Sequence, residues 1–237
     1  MPDALKIEHF PEHPIWGDCV FLEALTSEAE AVRGAYTELS PEWPLLHFAV
    51  AGGSPQELDP WYRLGFAQMH AYGCRPSGSD AFEVAGLGLR RGGLADLETA
   101  IRIDRLIEEA QAAPPSYSSY QPDEDEHRAS WSEALADDAV TYVVAERAGA
   151  PVGHATIYPD PSDDEALHLA STAVLPEARG GGVGRALTAF ALTHAAERGY
   201  PRLRTNWRVT NLTASRFWPS RGFEITHIRL FRRLPDL

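Results

Sequence analysis

"LPEARGGGVGRAL", residues 175–187, sets three consecutive glycines between a segment that reads as a β-strand and one that reads as a helix. Glycine is the default where a chain must reach left-handed dihedrals, so a tight turn is the plain reading. The neighbours add a second one. Upstream, "LHLASTAVL" (167–175) is a strand-like run ending at Pro176; downstream, Val183, Leu187, Phe190, Ala191 and His194 fall on one helical face. A strand, a bare turn and a helix start together make an anion site, because backbone N–H groups point outward and the helix dipole adds about half a positive charge. A P-loop would need Gly-Lys-Ser/Thr at its end, but Gly184 is followed by Arg185 and Ala186. A Rossmann fingerprint fails too, since its third small position falls on Arg185 or Leu187. What remains is Arg179-x-x-Gly182-x-Gly184.

The 237 residues allow one large domain or two small ones, and 44% hydrophobic with 23% charged residues is an ordinary globular balance. A formal net charge of -13 with no basic stripe argues against a nucleic-acid partner. Cys19 and Cys74 are too few for a disulfide framework and lack metal-ligand spacing, which points to a reducing cytoplasm and to no metal. "MPDALKIEHF" has no secretory pattern, and no apolar run approaches the roughly 18 residues of a membrane span, so a soluble protein is expected.

"CRPSGSD" (74–80) reads as a linker, placing a division near residue 80. After it, "FEVAGLGLR" alternates like a strand. "GGLADLETAIRIDRLIEEAQAA" is helical in period and stopped by Pro114 and Pro115; a second helix fits 126–135. "AVTYVVAE" and "PVGHATIY", joined by "RAGA", read as a hairpin. Strands at 167–175 and "LRTNWRV", a helix from Asn211 and a strand in "GFEITHIRLFRRL" complete the order β-α-α-β-β-β-α-β-α-β.

The loop Arg179-x-x-Gly182-x-Gly184, behind "TAVLP" and ahead of an amphipathic helix, resembles the coenzyme A pyrophosphate loop of the GNAT N-acetyltransferase superfamily. The resemblance continues in "NLTASRFWPSRGF", where Asn211, Ser215, Phe217, Trp218, Gly222 and Phe223 supply the family's asparagine, small residue, aromatic pair and Gly-Phe. It covers residues 83–237 and implies an α+β (mixed α/β) GNAT acyltransferase fold, a central mixed, mostly antiparallel sheet flanked by helices. It further implies acetyl-CoA or another acyl-CoA as cosubstrate, direct attack by an amine, and no metal.

An internal repeat accounts for the first 80 residues. "PLLHFAVAGGSPQELDPWYRLGFAQMHAYGCR" echoes "PRLRTNWRVTNLTASRFWPSRGFEITHIRLFR" without a gap, pairing Trp61, Gly65, Phe66, His70 and Arg75 with Trp218, Gly222, Phe223, His227 and Arg232. Residues 1–80 therefore look like a degenerate, partial GNAT-like unit, with "SEAEAVRGAYTEL" in place of the glycine-loop helix. "LEALTS" (Leu22 to Ser27) stands at the loop position without a glycine, so one cofactor site is expected, in residues 83–237. Such a tandem chain points to a monomer.

The resemblance assigns the pyrophosphate to backbone donors of Arg179, Gly180, Gly181, Gly182, Val183, Gly184 and Arg185. It assigns the pantetheine arm to the strand edge at Ala173, Val174 and Leu175, with Asn211, Ser215 and Trp218 also on the cofactor. Val174 N–H is the expected oxyanion donor. The acceptor must lose a proton, since a lysine-like ammonium has a pKa of about 10.4. His168 is the titratable residue of "LHLASTAVL", and its unperturbed pKa of about 6.5 suits a base; a solvent-facing strand histidine is the other reading. Strict alternation puts His168, Ala170 and Thr172 on one face, with Thr172 as a hydrogen bonder near the acetyl group. Trp218 stands where the family often has a tyrosine acid, and indole cannot give up a proton in that role, so the acid is unassigned. Tyr117 and Tyr120, in a loop over the acceptor site, are candidate substrate contacts; the acidic runs "DEDE" (123–126) and "DPSDDEA" (160–166) either attract a cationic amine or are solvated turns.

Two classes of function follow. The first is an acyl-CoA-dependent N-acyltransferase acting on a small amine or a protein N-terminus, with O- or S-acyl transfer as an enzymatic variant. The second is a non-catalytic acyl-CoA-binding or partner-docking module.

Overall fold

A computed structural model describes residues 4–13, 16–26, 28–39, 43–118 and 123–235. Ser27 and Tyr120 lie outside them. The elements are β1 (Leu5–His13), β2 (Gly17–Ala24), α1 (Ala29–Thr37), β3 (Leu46–Gly52), α2 (Pro55–Arg63), β4 (Ala67–Pro76), β5 (Leu87–Arg91), α3 (Leu97–Ala112), α4 (Glu124–Ala136), β6 (Thr141–Arg147), β7 (Ala150–Pro159), β8 (Ala166–Val174), α5 (Val183–Glu197), β9 (Arg202–Arg208), α6 (Leu212–Ser220) and β10 (Glu224–Arg233). Among the described residues, no helix is long and apolar enough to cross a membrane. Both cysteines are free thiols.

The chain forms two compact units. The first comprises Met1–Gly73, Trp207–Ser215 and Ile225–Leu237; the second comprises Cys74–Asn206 and Arg216–Glu224. These compact units interleave along the sequence. The cause is β10, which pairs antiparallel along β3 from His227↔Gly52 to Arg233↔Leu46 instead of staying with the residues that precede it. The two repeats nevertheless match element for element, β3-α2-β4 against β9-α6-β10. Gly65 (φ +81) and Gly222 (φ +80) occupy equivalent left-handed turns, and a Cβ at either would lie 3.7 or 3.5 Å from the Nε of Arg232 or Arg75, themselves a repeat pair.

In the first unit the strand order is β1-β2-β3-β10-β4, with β1 and β2 antiparallel and β2 and β3 parallel. Val32 and Tyr36 of α1 and Leu58 and Trp61 of α2 are buried. Ser54 caps α2 with a reciprocal Ser54–Glu57 box, which satisfies two otherwise orphaned donors.

In the second unit the order is β9-β8-β7-β6-β5; the pairs from β5 to β8 are antiparallel and β8 with β9 is parallel. The sheet is mixed and mostly antiparallel, with helices on both faces. On one face Ala100 and Ile101 of α3 and Trp131 of α4 close over Tyr142 and Val144. On the other, α5 buries Val183, Leu187, Leu192 and His194, and His194 Nε2 meets Thr141 Oγ1 at 3.1 Å. "FEVAGLGLR" yields a strand only from Leu87, because Phe82 and Val84 pack against the glycine loop instead. Leu203→Ala, at a fully buried site on β9, is expected to cost about 2–5 kcal/mol in denaturant unfolding. Leu212→Ala, at an exposed site on α6, should change stability by no more than about 0.5 kcal/mol.

Candidate active site

β8 carries a bulge at the centre of the second unit. Ala170 faces Thr156 and Ala173 faces His154, so Ser171 and Thr172 together oppose one residue of β7; Ser171 takes φ +33 to accommodate the extra residue. Directly opposed residues share a face. Ala173, not Thr172, therefore returns to the face of His168, and the alternation expected for Thr172 is corrected by the bulge. Thr172 Oγ1 donates to Ala170 O at 3.1 Å.

Beyond the bulge, Leu175 N–H donates to Val152 O at 2.9 Å. Neighbouring backbone groups of a strand point to opposite edges, so Val174, paired with Gly153, directs its N–H and C=O away from β7. Pairing of β8 with β9 runs only from Ala166↔Arg202 to His168↔Arg204, well short of Val174. Val174 O accepts from Arg179 Nε at 3.2 Å, tying this strand edge to the glycine loop.

The loop is built by contact as well as by dihedral. Gly180 and Gly182 have φ of +76 and +81, and Gly182 is the N-cap of α5 with no side-chain cap. A Cβ on Gly182 would lie 2.9 Å from Val84 Cγ2; one on Gly181 would lie 2.9 Å from the Arg147 guanidinium, which donates to Gly181 O at 3.1 Å. Gly184 would meet the Phe217 ring at 3.2 Å. The first bond closing the helix is Ala186 N to Gly182 O, which leaves Val183, Gly184 and Arg185 N–H in the first turn without intrahelical acceptors. Arg185 lies over Phe82, 3.8 Å from the ring centroid. Bare, forward-directed donors of this kind fit a diphosphate.

His168 is buried rather than solvent-facing. Its Nδ1 is 3.0 Å from Asp160 Oδ2, and its Nε2 is 3.2 Å from the amide nitrogen of Asn206. The network assigns the tautomer: Nδ1–H donates to the carboxylate, and the Nε2 lone pair accepts from Asn206. Burial of Asp160 would raise its pKa, but bonds from His168, from Ser162 N–H and Oγ–H, and from Arg204 prevail and hold it well below the usual carboxylate range. Tyr158 stacks on His168, with ring centroids 5.4 Å apart. Asp160 belongs to "DPSDDEA", where Asp163 in turn holds Arg202 at 2.8 Å.

The other expected residues are distributed as follows. Trp218 is buried between Phe217 and Phe223. Asn211 and Ser215 fall in the first unit, where Asn211 Oδ1 accepts from Ala214 N at the start of α6 and Ser215 Oγ donates to Val209 O. Tyr117 is 72% exposed, with φ +47. Within "DEDE", Asp123 caps α4 and Glu124 pairs with Arg105. Sequence reasoning missed a polar cluster under α3 and α4. There Asp104 Oδ2 meets His127 Nε2 at 3.0 Å and Trp131 Nε1 at 3.2 Å, and Tyr142 meets His154 Nδ1 at 3.2 Å. Burial holds His154 down to about 4. Glu108, 3.6 Å from His127 Nε2, completes a group of three ligand atoms with Asp104 and His127 within 4.8 Å of one another.

Because Asp160 has a depressed folded pKa, its contribution to stability is present above the unfolded value of about 3.9 and is lost as pH falls through the folded one. Asp160→Asn should therefore be clearly less stable than wild type at pH 7 in urea unfolding. The gap should narrow steadily below about pH 4.

The matching family description is "Acetyltransferase (GNAT) family", over residues 103–223. No curated protein sequence matches the chain significantly. Among solved structures, a GCN5-related N-acetyltransferase from Kribbella flavida superimposes with TM-score 0.58 at 17% identity, over 99% of this chain and 88% of that one. A functionally unknown conserved protein from Staphylococcus epidermidis gives 0.62 at 13%, over 98% and 92%. A GCN5-related N-acetyltransferase from Sphaerobacter thermophilus gives 0.59 at 14%, over 99% and 79%. At these identities the likeness speaks for the fold. The family match spans just over half of the chain, and with it the protein belongs to the GNAT family of acetyltransferases.

Proposed function

We propose that the protein is an acyl-CoA-dependent N-acyltransferase, moving acetyl from acetyl-CoA to an amine by direct attack. The observation that carries the reading is the juxtaposition of the glycine loop with the open edge of β8, linked through Arg179 Nε and Val174 O. Acyl-CoA supplies the acyl group as an activated thioester. The first-turn N–H groups of Val183, Gly184 and Arg185, with the loop of Gly180, Gly181 and Gly182, hold the diphosphate. The edge at Ala173, Val174 and Leu175 aligns the pantetheine arm, and Val174 N–H is aimed where negative charge grows on the carbonyl oxygen.

His168 acts as the base. Asp160 holds Nδ1–H, so the lone pair is on Nε2; the Asn206 amide that occupies it in the resting state must turn away before the proton released by the acceptor amine goes there, directly or through water. The proton taken up by the departing thiolate has no donor assigned; a thiol pKa of about 8.5 makes the thiolate a fair leaving group unaided. Residues 1–80 act as a degenerate GNAT-like unit without a second cofactor loop, and Trp218 and Tyr117 stay candidates for cofactor and acceptor contact. The acceptor is a small amine or a protein N-terminus, and the setting is the cytoplasm, with the chain as a monomer. One observation favours the non-catalytic alternative: Trp218, at the position where the family often has tyrosine, is packed between two aromatic rings.

Calorimetric titration with acetyl-CoA should give one site per chain, lost in Gly182→Glu; no binding to the wild type would leave the glycines a purely structural turn. In an amine screen followed by thiol release, His168→Ala should lower kcat/KM by about 10²–10⁴-fold. An unchanged rate would remove His168 from the chemistry, and acetyl-CoA binding without turnover of any amine would favour the docking module.

A further inference from the structure

The sheet of the first unit has two chemically different faces. Directly opposed residues of β3 and β10 share a face, so His47 and Arg232 lie on one side while Phe48 with Phe231, and Val50 with Arg229, lie on the other. α1 packs on the first face: Tyr36 OH meets His47 Nδ1 at 2.8 Å, and Arg232 lies over the Tyr36 ring. α2 joins it through Trp61, which shares Phe66 with Tyr36.

The second face gathers aromatic rings around a cation. The Arg229 guanidinium lies 5.2 Å from the Trp16 ring centroid, 5.5 Å from Phe21 and 5.4 Å from Tyr72. Its Nε is buried with no hydrogen-bond partner, and no carboxylate pairs with it among the described residues. Glu23, which opposes Val50 on the same face, is turned to Lys6 at 3.6 Å. His70 shares the face of Tyr72 on β4, and its Nδ1 is likewise buried without a partner. Burial foremost, then the charges of Arg208 and Arg229, hold His70 down to about 3. Two arginines therefore act on one neutral imidazole, inside a protein whose formal net charge is -13. A buried guanidinium N–H with no acceptor, beside a second arginine, is what an anion would relieve.

We propose that this face binds a carboxylate carried on an aromatic or similarly flat apolar body, with Arg229 as the gripping residue and His70 beside it. Rings already surround the guanidinium, and its remaining donors lie in a planar fork that matches the two oxygens of a carboxylate. The surrounding rings of Trp16, Phe21 and Tyr72 supply a surface on which a flat body stacks. The inference stands on the first unit alone and does not depend on acyl-CoA.

The test is calorimetric titration of the full chain with benzoate, acetate and inorganic phosphate, with imidazole NMR on the same samples and His70 assigned through His70→Asn. Benzoate should saturate one site and move the His70 resonances in step with the heat. Acetate and phosphate should each bind at least about tenfold more weakly, and Arg229→Gln should cost benzoate at least about tenfold in affinity. The thermal midpoint of Arg229→Gln reports whether that variant is folded, and the His70 shift in wild type decides the matter if it is not. Absence of saturable benzoate binding, unmoved His70 resonances, undiminished binding to a folded Arg229→Gln, or phosphate binding as tightly as benzoate would each overturn the proposal.

Discussion

The close approach of the first turn of α5 to β7 and β8 is the constraint on which the second unit depends. A Cβ on Gly153 would sit 2.9 Å from Ala173 O and 3.1 Å from Val183 Cγ1, so the strand must be bare where the helix lands. Gly182 and Gly184 meet the same demand from Val84 and Phe217. Four elements thus converge on backbone instead of side chain, and the donors of the helix start stand beside the edge of β8. Any side chain wedged into that junction would lift α5 away from β7 and β8 and separate the N–H groups of its first turn from the edge of β8.

A second constraint is electrostatic. Asp160 is nearly inaccessible, and an unpaired carboxylate there would be costly. Donors from His168, Ser162 and Arg204 surround it, so the charge is retained and the imidazole is fixed in one tautomer. Buried ion pairs of this kind add little net stability over an apolar replacement. Their physical effect is orientation: the Nε2 lone pair of His168 has one direction to face.

The two repeats show how one strand-helix-strand frame takes different chemistry. β3-α2-β4 and β9-α6-β10 share their turn glycines and the arginines that pack on them. In the first unit Leu22 to Ser27 stand at the sequence position of the glycine loop without a glycine, and its sheet presents Arg229 among aromatic rings. Each frame has a left-handed glycine four residues after a tryptophan, Trp61 with Gly65 and Trp218 with Gly222.

Much was legible in the sequence because it is encoded locally. The glycine loop, the helix that follows it and the hairpin of β6 and β7 follow from dihedral preference and period, and the family was recognised by the resemblance of the loop and of "NLTASRFWPSRGF" to its motifs. His168 was legible as the titratable residue of β8. Its partner Asp160 was not, because it lies across a turn whose acidic composition equally describes a solvated loop. Only the tertiary structure decided three things: that β10 pairs with β3, that a bulge at Ser171 and Thr172 returns Ala173 to the face of His168, and that Arg229 is brought among the rings of Trp16, Phe21 and Tyr72. Each depends on pairing between segments far apart in the chain, or on a one-residue shift of register that leaves no mark on hydrophobic period, and is settled only when whole strands pack at once.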